Sequence, residues 1–289
     1  MNILLCGASG FIGRHLDAAL TAAGHKVIRA VRQKNSGRDI AVDYVKDTHP
    51  AAWLPRLAGI EGVINAVGVL RDHAAQPMAS LHGATPRALF SACQTAGVRR
   101  VIQISALGVE DGTDIAYMRT KREADEFLKT LNLDWIILRL SLVYGEDGAS
   151  ARMFRLLTRL PVIALPGRGD MLVQPVHVDD ISAAVVKLFE PNAVRQSIID
   201  CAGRAPISYH DMLASYRHQQ GGRYTLWLNT PWWLMRLAAK IAQNFKASPL
   251  EPQTLDMLRQ GSHADTTAFS ALLGRPPRDI ATFINARTP

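Results

Sequence analysis

The sequence predicts an α/β chain in which a doubly wound parallel sheet is followed by a smaller C-terminal lobe. Three observations predict it. A glycine-punctuated turn joins a short apolar run to a helical pattern near the start of the sequence. Through the first half, near-continuous apolar runs alternate with helical periodicity, as expected of parallel strands covered on both faces. After Gly145 that rhythm breaks, and prolines separate short segments.

The first strand is read at Ile3-Leu4-Leu5-Cys6. Gly7-Ala8-Ser9-Gly10-Phe11-Ile12-Gly13 follows, and Ile12, Leu16, Ala19, Leu20 and Ala23 recur at helical spacing. His25 to Arg32 reads as a second strand, Ile40 to Tyr44 as a third, and Gly62 to Gly68 as a fourth. Val101 to Ser105 and Trp135 to Leu140 complete six, with helices from Thr85 to Ala96 and from Ala116 to Leu131. Short right-handed crossovers then favour a doubly wound sheet. Further on, a helix is expected from Ala151 to Leu160 and a strand at Val162 to Leu165. A Pro-Gly-Arg-Gly turn, a strand from Val173 to Val178 and a helix from Asp180 to Phe189 come next. The expected division is 1–150 with 173–190 returning to it, and a lobe of 151–172 and 191–289.

At 289 residues the chain can bury a full core. Its formal net charge of +8 suits an anionic cofactor, a nucleic acid or an acidic membrane surface. The basic residues are scattered, so nucleic-acid binding is not expected. Cys6, Cys93 and Cys201 lie far apart without Cys-x-x-Cys spacing, as suits buried thiols in a reducing cytoplasm, and no metal site is expected. The first strand starts almost at the first residue, so no cleavable signal is expected, and no apolar stretch reaches the length of a membrane span.

A strand, a glycine turn and a helix together hold phosphate. Glycine permits a tight turn and close approach, and the helix presents unpaired N–H groups and the positive end of its dipole. The spacing is Gly7-x-x-Gly10-x-x-Gly13. Downstream, Tyr117 and Lys121 lie four apart on one helical stripe with Ala124, Leu128 and Leu131, while Arg119, Arg122, Glu123, Asp125 and Glu126 are assigned to the other faces. A lysine on an inward stripe is costly unless it has a task, and a nearby cation would lower the phenol of Tyr117 toward use as an acid/base. Taken alone, the pair favours a core-edge tyrosine and a lysine reaching for water; with the glycine turn upstream, the acid/base reading is favoured.

These motifs run in the order found in the extended short-chain dehydrogenases/reductases, which the chain resembles. They are Gly7-x-x-Gly10-x-x-Gly13, Asn65-Ala66-Val67-Gly68, Ser105, Tyr117-x-x-x-Lys121 and Arg139-x-Ser141-x-Val143-Tyr144-Gly145, continued by Pro175-Val176-His177-Val178-Asp179-Asp180. The short spacing from Ser105 to Tyr117 and the late Ser248-Pro249-Leu250 narrow the resemblance to the atypical, epimerase/dehydratase-like branch. That branch contains the nucleotide-binding accessory subunit of respiratory complex I and its bacterial relatives. The resemblance implies a Rossmann-type fold, with Gly7 to Gly13 and Asn65 to Gly68 against the cofactor. It implies Tyr117 as general acid/base, Lys121 on the nicotinamide ribose, and a hydroxyl polarising the substrate oxygen. Two departures stand out: Ser105 is a single hydroxyl in Ser105-Ala106-Leu107, and His82 stands where the family often has Asn. The expectation is an oxidoreductase or a sugar-nucleotide epimerase. The alternative is a non-catalytic accessory or sensor protein holding NADPH.

No acidic residue follows the second strand before Asp39, and Arg32 falls on the turn after it, which favours NADP(H) over NAD(H). Arg29 faces the other way if the strand continues. Asp43 resembles the family aspartate beside the adenine and fits an ordinary strand-end carboxylate equally well. Arg139 is expected to find a structural partner, His177 to be a satisfied histidine between the lobes, and Asp179 or Asp180 to cap the next helix. The 230–245 segment, with Trp232-Trp233 and basic residues, reads as an amphipathic helix. It is expected to roof a substrate pocket, with a membrane surface or a protein partner as the alternative.

Overall fold

The computed structural model describes residues 1–70, 72, 77–111, 115–222, 224–242 and 252–284. Ser248-Pro249-Leu250 lies outside the described residues. In chain order the elements begin β1 (Asn2–Cys6), α1 (Phe11–Ala22), β2 (Lys26–Val31), β3 (Asp39–Ala41), α2 (Pro50–Trp53) and β4 (Gly62–Asn65). They continue with α3 (Thr85–Ala96), β5 (Arg100–Ala106), α4 (Ala116–Lys129), β6 (Trp135–Leu140), β7 (Val143–Tyr144) and α5 (Ala149–Leu157). Then come β8 (Val162–Pro166), β9 (Leu172–Val173), β10 (Val176–His177), α6 (Val178–Lys187), β11 (Ser197–Cys201) and β12 (Ile207–Ser208). The last are α7 (Tyr209–Gln219), β13 (Leu226–Thr230), α8 (Trp232–Ala242), α9 (Pro252–Gln260) and α10 (Thr267–Leu273).

Seven strands form the main sheet in the order β11-β6-β5-β4-β1-β2-β3, so the fold is the expected Rossmann-type α/β sheet. The pairings from β3 through β2, β1, β4 and β5 to β6 are all parallel. The order reverses at β1, which has β2 on one side and β4 on the other. Open parallel sheets bind ligands at such a reversal, beyond the carboxyl ends of the strands. Ile3, Leu4, Leu5, Val63, Ile64, Val101 and Ile102 are fully buried, which explains why these strands read as unbroken apolar runs.

The chain divides into two compact units, 1–140 with 181–200 and 141–180 with 201–289. The boundary falls ahead of the expected 150, because β7 leaves the main sheet to pair with β10. The expected strand from Val173 to Val178 is split: β9 pairs antiparallel with β12 and β10 parallel with β7. The segment returning to the first unit is later than 173–190, because it carries β11, a sheet strand the sequence reading did not include. The second unit is built around aromatic packing, with Tyr144 stacked on Phe283 at 5.1 Å and set 5.3 Å from Tyr216.

Asp180 does not cap α6. It is fully buried and accepts from Arg275 Nη2 at 2.5 Å and from Arg278 N at 2.7 Å, pinning the C-terminal segment within the second unit. Arg139 meets the carboxylate of Glu110, the structural partner it required. Among the described residues no helix is long and apolar enough to cross a membrane, and no group of His, Cys, Asp and Glu could hold a metal ion.

Candidate nucleotide-binding and catalytic site

The glycine turn lies at the sheet reversal, and its geometry excludes side chains. A Cβ on Gly7, whose φ is +82°, would stand 2.7 Å from the Ala66 carbonyl oxygen that follows β4. A Cβ on Gly13 would lie 2.1 Å from the Gly7 carbonyl oxygen, so α1 can seat this close to β1 only with glycine there. Gly10 N–H donates to Gly7 O at 2.9 Å and closes the turn. Gly10 is the N-cap of α1 and supplies no side-chain cap, and no acidic residue occupies the first turn. The first helical donor is Arg14 N–H, which bonds Gly10 O at 3.0 Å, so the N–H groups of Phe11 and Ile12 have no intrahelical acceptor and lie at the positive end of the dipole. Such a cradle fits a pyrophosphate.

Two residues outside the motif hold the cradle in place. The Tyr44 hydroxyl donates to Ala30 O at 2.8 Å and accepts Gly7 N–H at 3.1 Å. Burial raises the Tyr44 phenol well above its ordinary value, so it remains a neutral hydroxyl. Asn65, at the end of β4, donates to Gln103 Oε1 at 2.8 Å and accepts Val67 N–H at 3.3 Å. It thereby fixes the Ala66-Val67-Gly68 loop beside the glycine turn. Tyr44 went unnoticed in the sequence because a tyrosine after a short strand carries no motif.

Arg29 and Arg32 part company. Arg29 Nε binds Asp39 at 2.7 Å and its Nη2 binds Ser36 at 2.8 Å, so Arg29 belongs to the β2–β3 connection. The paired charges and backbone donors hold the Asp39 carboxyl at about 2. Arg32 lies just past β2 and is exposed, with no ion-pair or hydrogen-bond partner among the described residues. Because Cys6 pairs with Ala30 across β1 and β2, Arg32 comes level with the glycine turn. The exposed Asp43 turns its carboxylate back on its own loop, accepting Val45 N–H at 3.0 Å.

The second cluster gathers on α4, β5 and the residues after β4. Lys121 is buried, and its Nζ donates to Ile104 O at 2.8 Å and Val67 O at 3.2 Å. Burial pulls its ammonium down to about 8, against the neighbouring charge of Asp125. Ser105 is buried in β5 and donates its Oγ–H to Asp125 Oδ2. Asp125 is itself buried rather than on an outer face. Lying one turn beyond Lys121, it shares the inward side of α4, and an apolar stripe conceals an acid placed there. Burial pushes its carboxyl up to about 6, opposed by the Ser105 hydrogen bond and the Lys121 charge.

Tyr117 packs edge-on against His82, with ring centroids 5.4 Å apart. His82 occupies a one-turn π-helix, Ala79–Ala84. Its Nε2 accepts Val69 N–H at 2.9 Å, so in the neutral ring Nδ1 carries the proton and donates to Thr120 Oγ1 at 3.1 Å. Burial and the Lys121 charge drive the imidazole down to about 3. The phenol of Tyr117 departs from the lowered value that its lysine neighbour suggested. Burial, aided by the Asp125 charge, pushes it up to about 12. Lys121 spends its hydrogen bonds on two carbonyls and does not offset that rise.

A parallel sheet that reverses at β1, a glycine turn at the reversal and a Tyr-x-x-x-Lys helix define an atypical short-chain dehydrogenase/reductase. Residues 7–163 match the model of a family described as NAD(P)H-binding, more than half of the chain, and the chain belongs to that family. It is 27% identical over 190 residues to a ceramide reductase of Caulobacter vibrioides, covering 64% of this chain and 59% of that protein. It is 26% identical over 194 residues to the mitochondrial NADH dehydrogenase [ubiquinone] 1 alpha subcomplex subunit 9 of Arabidopsis thaliana, covering 62% of this chain and 48% of that protein. The chain thus spans less than two thirds of the length of either relative. Among solved structures, the NADPH-dependent quinone oxidoreductase of Escherichia coli complexed with NADPH superposes with a TM-score of 0.75. The identity is 18%, with 96% of this chain and 97% of that one covered, which shows a shared fold.

Proposed function

We propose that the protein is an NADP(H)-dependent reductase of a carbonyl substrate, in which Tyr117 donates the proton. Bound at the glycine turn, the dinucleotide supplies the hydride. Gly7 to Gly13 would hold its pyrophosphate, Ala66 to Gly68 would lie along it, and Arg32 would meet the 2′-phosphate. Lys121 would turn from its two carbonyl acceptors toward the ribose hydroxyls. The observation that carries the reading is the position of Tyr117 one turn before the buried Lys121 on α4, with its ring edge-on to His82. Its phenol is raised rather than lowered and is protonated at neutral pH. A protonated phenol can give its proton to a carbonyl oxygen that is gaining a hydride. The ceramide reductase and the quinone oxidoreductase among the similar proteins support the same direction.

The test is NADPH oxidation across a panel of ketones, aldehydes and quinones. Tyr117→Phe is expected to lower turnover by about 100-fold or more while NADPH affinity stays within about twofold. Wild-type turnover by that variant would overturn the assignment.

One observation favours a second reading, a protein that holds NADPH without turning it over. Ser105 commits its proton to Asp125, so its hydroxyl is not free to donate to a substrate oxygen. Tight NADPH binding with no oxidation by any member of the panel would select this reading.

A further inference from the structure

We infer that the outward face of β8, β13 and α8 is a docking surface for an anionic phospholipid bilayer. The inference does not depend on the catalytic reading, since all three elements belong to the second unit. β8 and β13 form a two-stranded parallel sheet in which Leu226 pairs with Val162 and Leu228 with Ala164. Partners in register share a face. The opposite face carries Ile163 and Leu165, which are buried in the aromatic core of the unit. The outward face therefore consists of Val162, Ala164, Leu226 and Leu228, all exposed, where a solvated sheet would carry polar side chains.

α8 repeats this inversion one residue after β13 ends. Its inward side is Trp232, Met235 and Ala239, of which only Ala239 is buried. Its outward stripe is Trp233, Leu234, Leu237, Ala238 and Ile241, and Trp233 is 68% and Ile241 59% exposed. At 100° per residue these five cover one continuous side of the helix, bordered along one edge by Arg236 and Lys240. A helix with an outward apolar stripe, a tryptophan and a basic edge is the form that lies in a membrane interface. The expected roof over a substrate pocket would require that stripe to face inward.

Charge selects the occupant. Residues 148–169 contain four arginines and no acid, and residues 212–242 contain three arginines, one lysine and no acid. Arg152, Arg159, Arg168 and Lys240 are exposed and pair with no carboxylate among the described residues. Arg236 of α8 has an acidic partner, Asp256 at 2.8 Å. A second copy of the chain would bring the same positive charge against itself, whereas an anionic lipid surface complements it.

The experiment is cosedimentation of the full chain with phosphatidylcholine vesicles, with and without about 30% phosphatidylglycerol, at low and at raised salt. Wild type is expected to partition onto the anionic vesicles at least about tenfold better than onto neutral ones and to weaken in salt. Trp233→Glu with Leu237→Glu, and separately Leu226→Glu with Leu228→Glu, should each lose about tenfold or more with an unchanged circular dichroism spectrum. Absence of vesicle binding, equal partition onto both compositions, or wild-type partition by both variants overturns the inference. So does a wild-type dimer dissolved by Trp233→Glu in a protein that ignores vesicles, which would assign the face to a second copy.

Discussion

The glycine turn and the Tyr117–Lys121 cluster lie at the same edge of one sheet but are made of different materials. The turn is backbone: its N–H groups, a left-handed Gly7 and the absence of a Cβ at Gly13 create the space and the charge. The cluster is side chains, with a lysine, a carboxylate, a serine and an imidazole brought in from α4, β5 and the π-helix. A backbone cradle fails through shape, and a buried polar cluster fails through charge.

The largest expected effect tests the shape side. Gly13→Val puts carbon where the Gly7 carbonyl oxygen already lies, 2.1 Å from a Cβ. It should cost about 3 kcal/mol or more of stability and abolish dinucleotide binding, read by chemical denaturation and calorimetric titration. Wild-type affinity in this variant would show that the nucleotide lies elsewhere.

Next comes the charge side, read as stability against pH. His82 stays neutral in the folded protein down to about 3 but takes a proton near 6.5 when unfolded, so its contribution is lost as pH falls through that window. Asp125 has the opposite sign. Its folded carboxyl titrates at about 6, above the ordinary 3.8, so acidification between those values favours the folded state. Each slope is at most about 1.4 kcal/mol per pH unit, and the two oppose one another between about pH 6 and 4. Asp125→Asn should steepen the acid loss of stability, and His82→Gln should flatten or reverse it. Parallel pH profiles for both variants and the wild type would remove the coupling.

Two smaller effects sharpen the contrast. Arg32→Ala should weaken NADPH by about tenfold and leave NADH unchanged, since one exposed charge-assisted contact to a phosphate is worth about that much. Equal losses for the two dinucleotides would count against a 2′-phosphate contact. Tyr44→Phe takes the acceptor from Gly7 N–H and should cost about 1 kcal/mol of stability, seen as a lower denaturation midpoint. No change there would mean that water replaces the hydroxyl.

The same division explains what the sequence made legible. The glycine turn and the apolar strands were readable because their physics is local: spacing, periodicity and the chemistry of one residue type. α3 matches its expected span from Thr85 to Ala96 for that reason. β11 was missed because Ser197-Ile198-Ile199-Asp200-Cys201 is short and joins the sheet only through tertiary pairing with β6. Helical periodicity sorts residues by polarity and so puts Asp125 outward; the Ser105 hydrogen bond and the Lys121 charge make an inward aspartate tolerable. The raised phenol of Tyr117 was beyond sequence reasoning, since the spacing to Lys121 reveals the cation but not the carbonyls that occupy it.

The most direct test of the account is titration of the wild-type protein with NADPH and with NADH, followed by calorimetry. It predicts one site per chain and NADPH tighter than NADH by about tenfold, the margin that Arg32 supplies. Binding of neither dinucleotide, or NADH bound more tightly than NADPH, would contradict it.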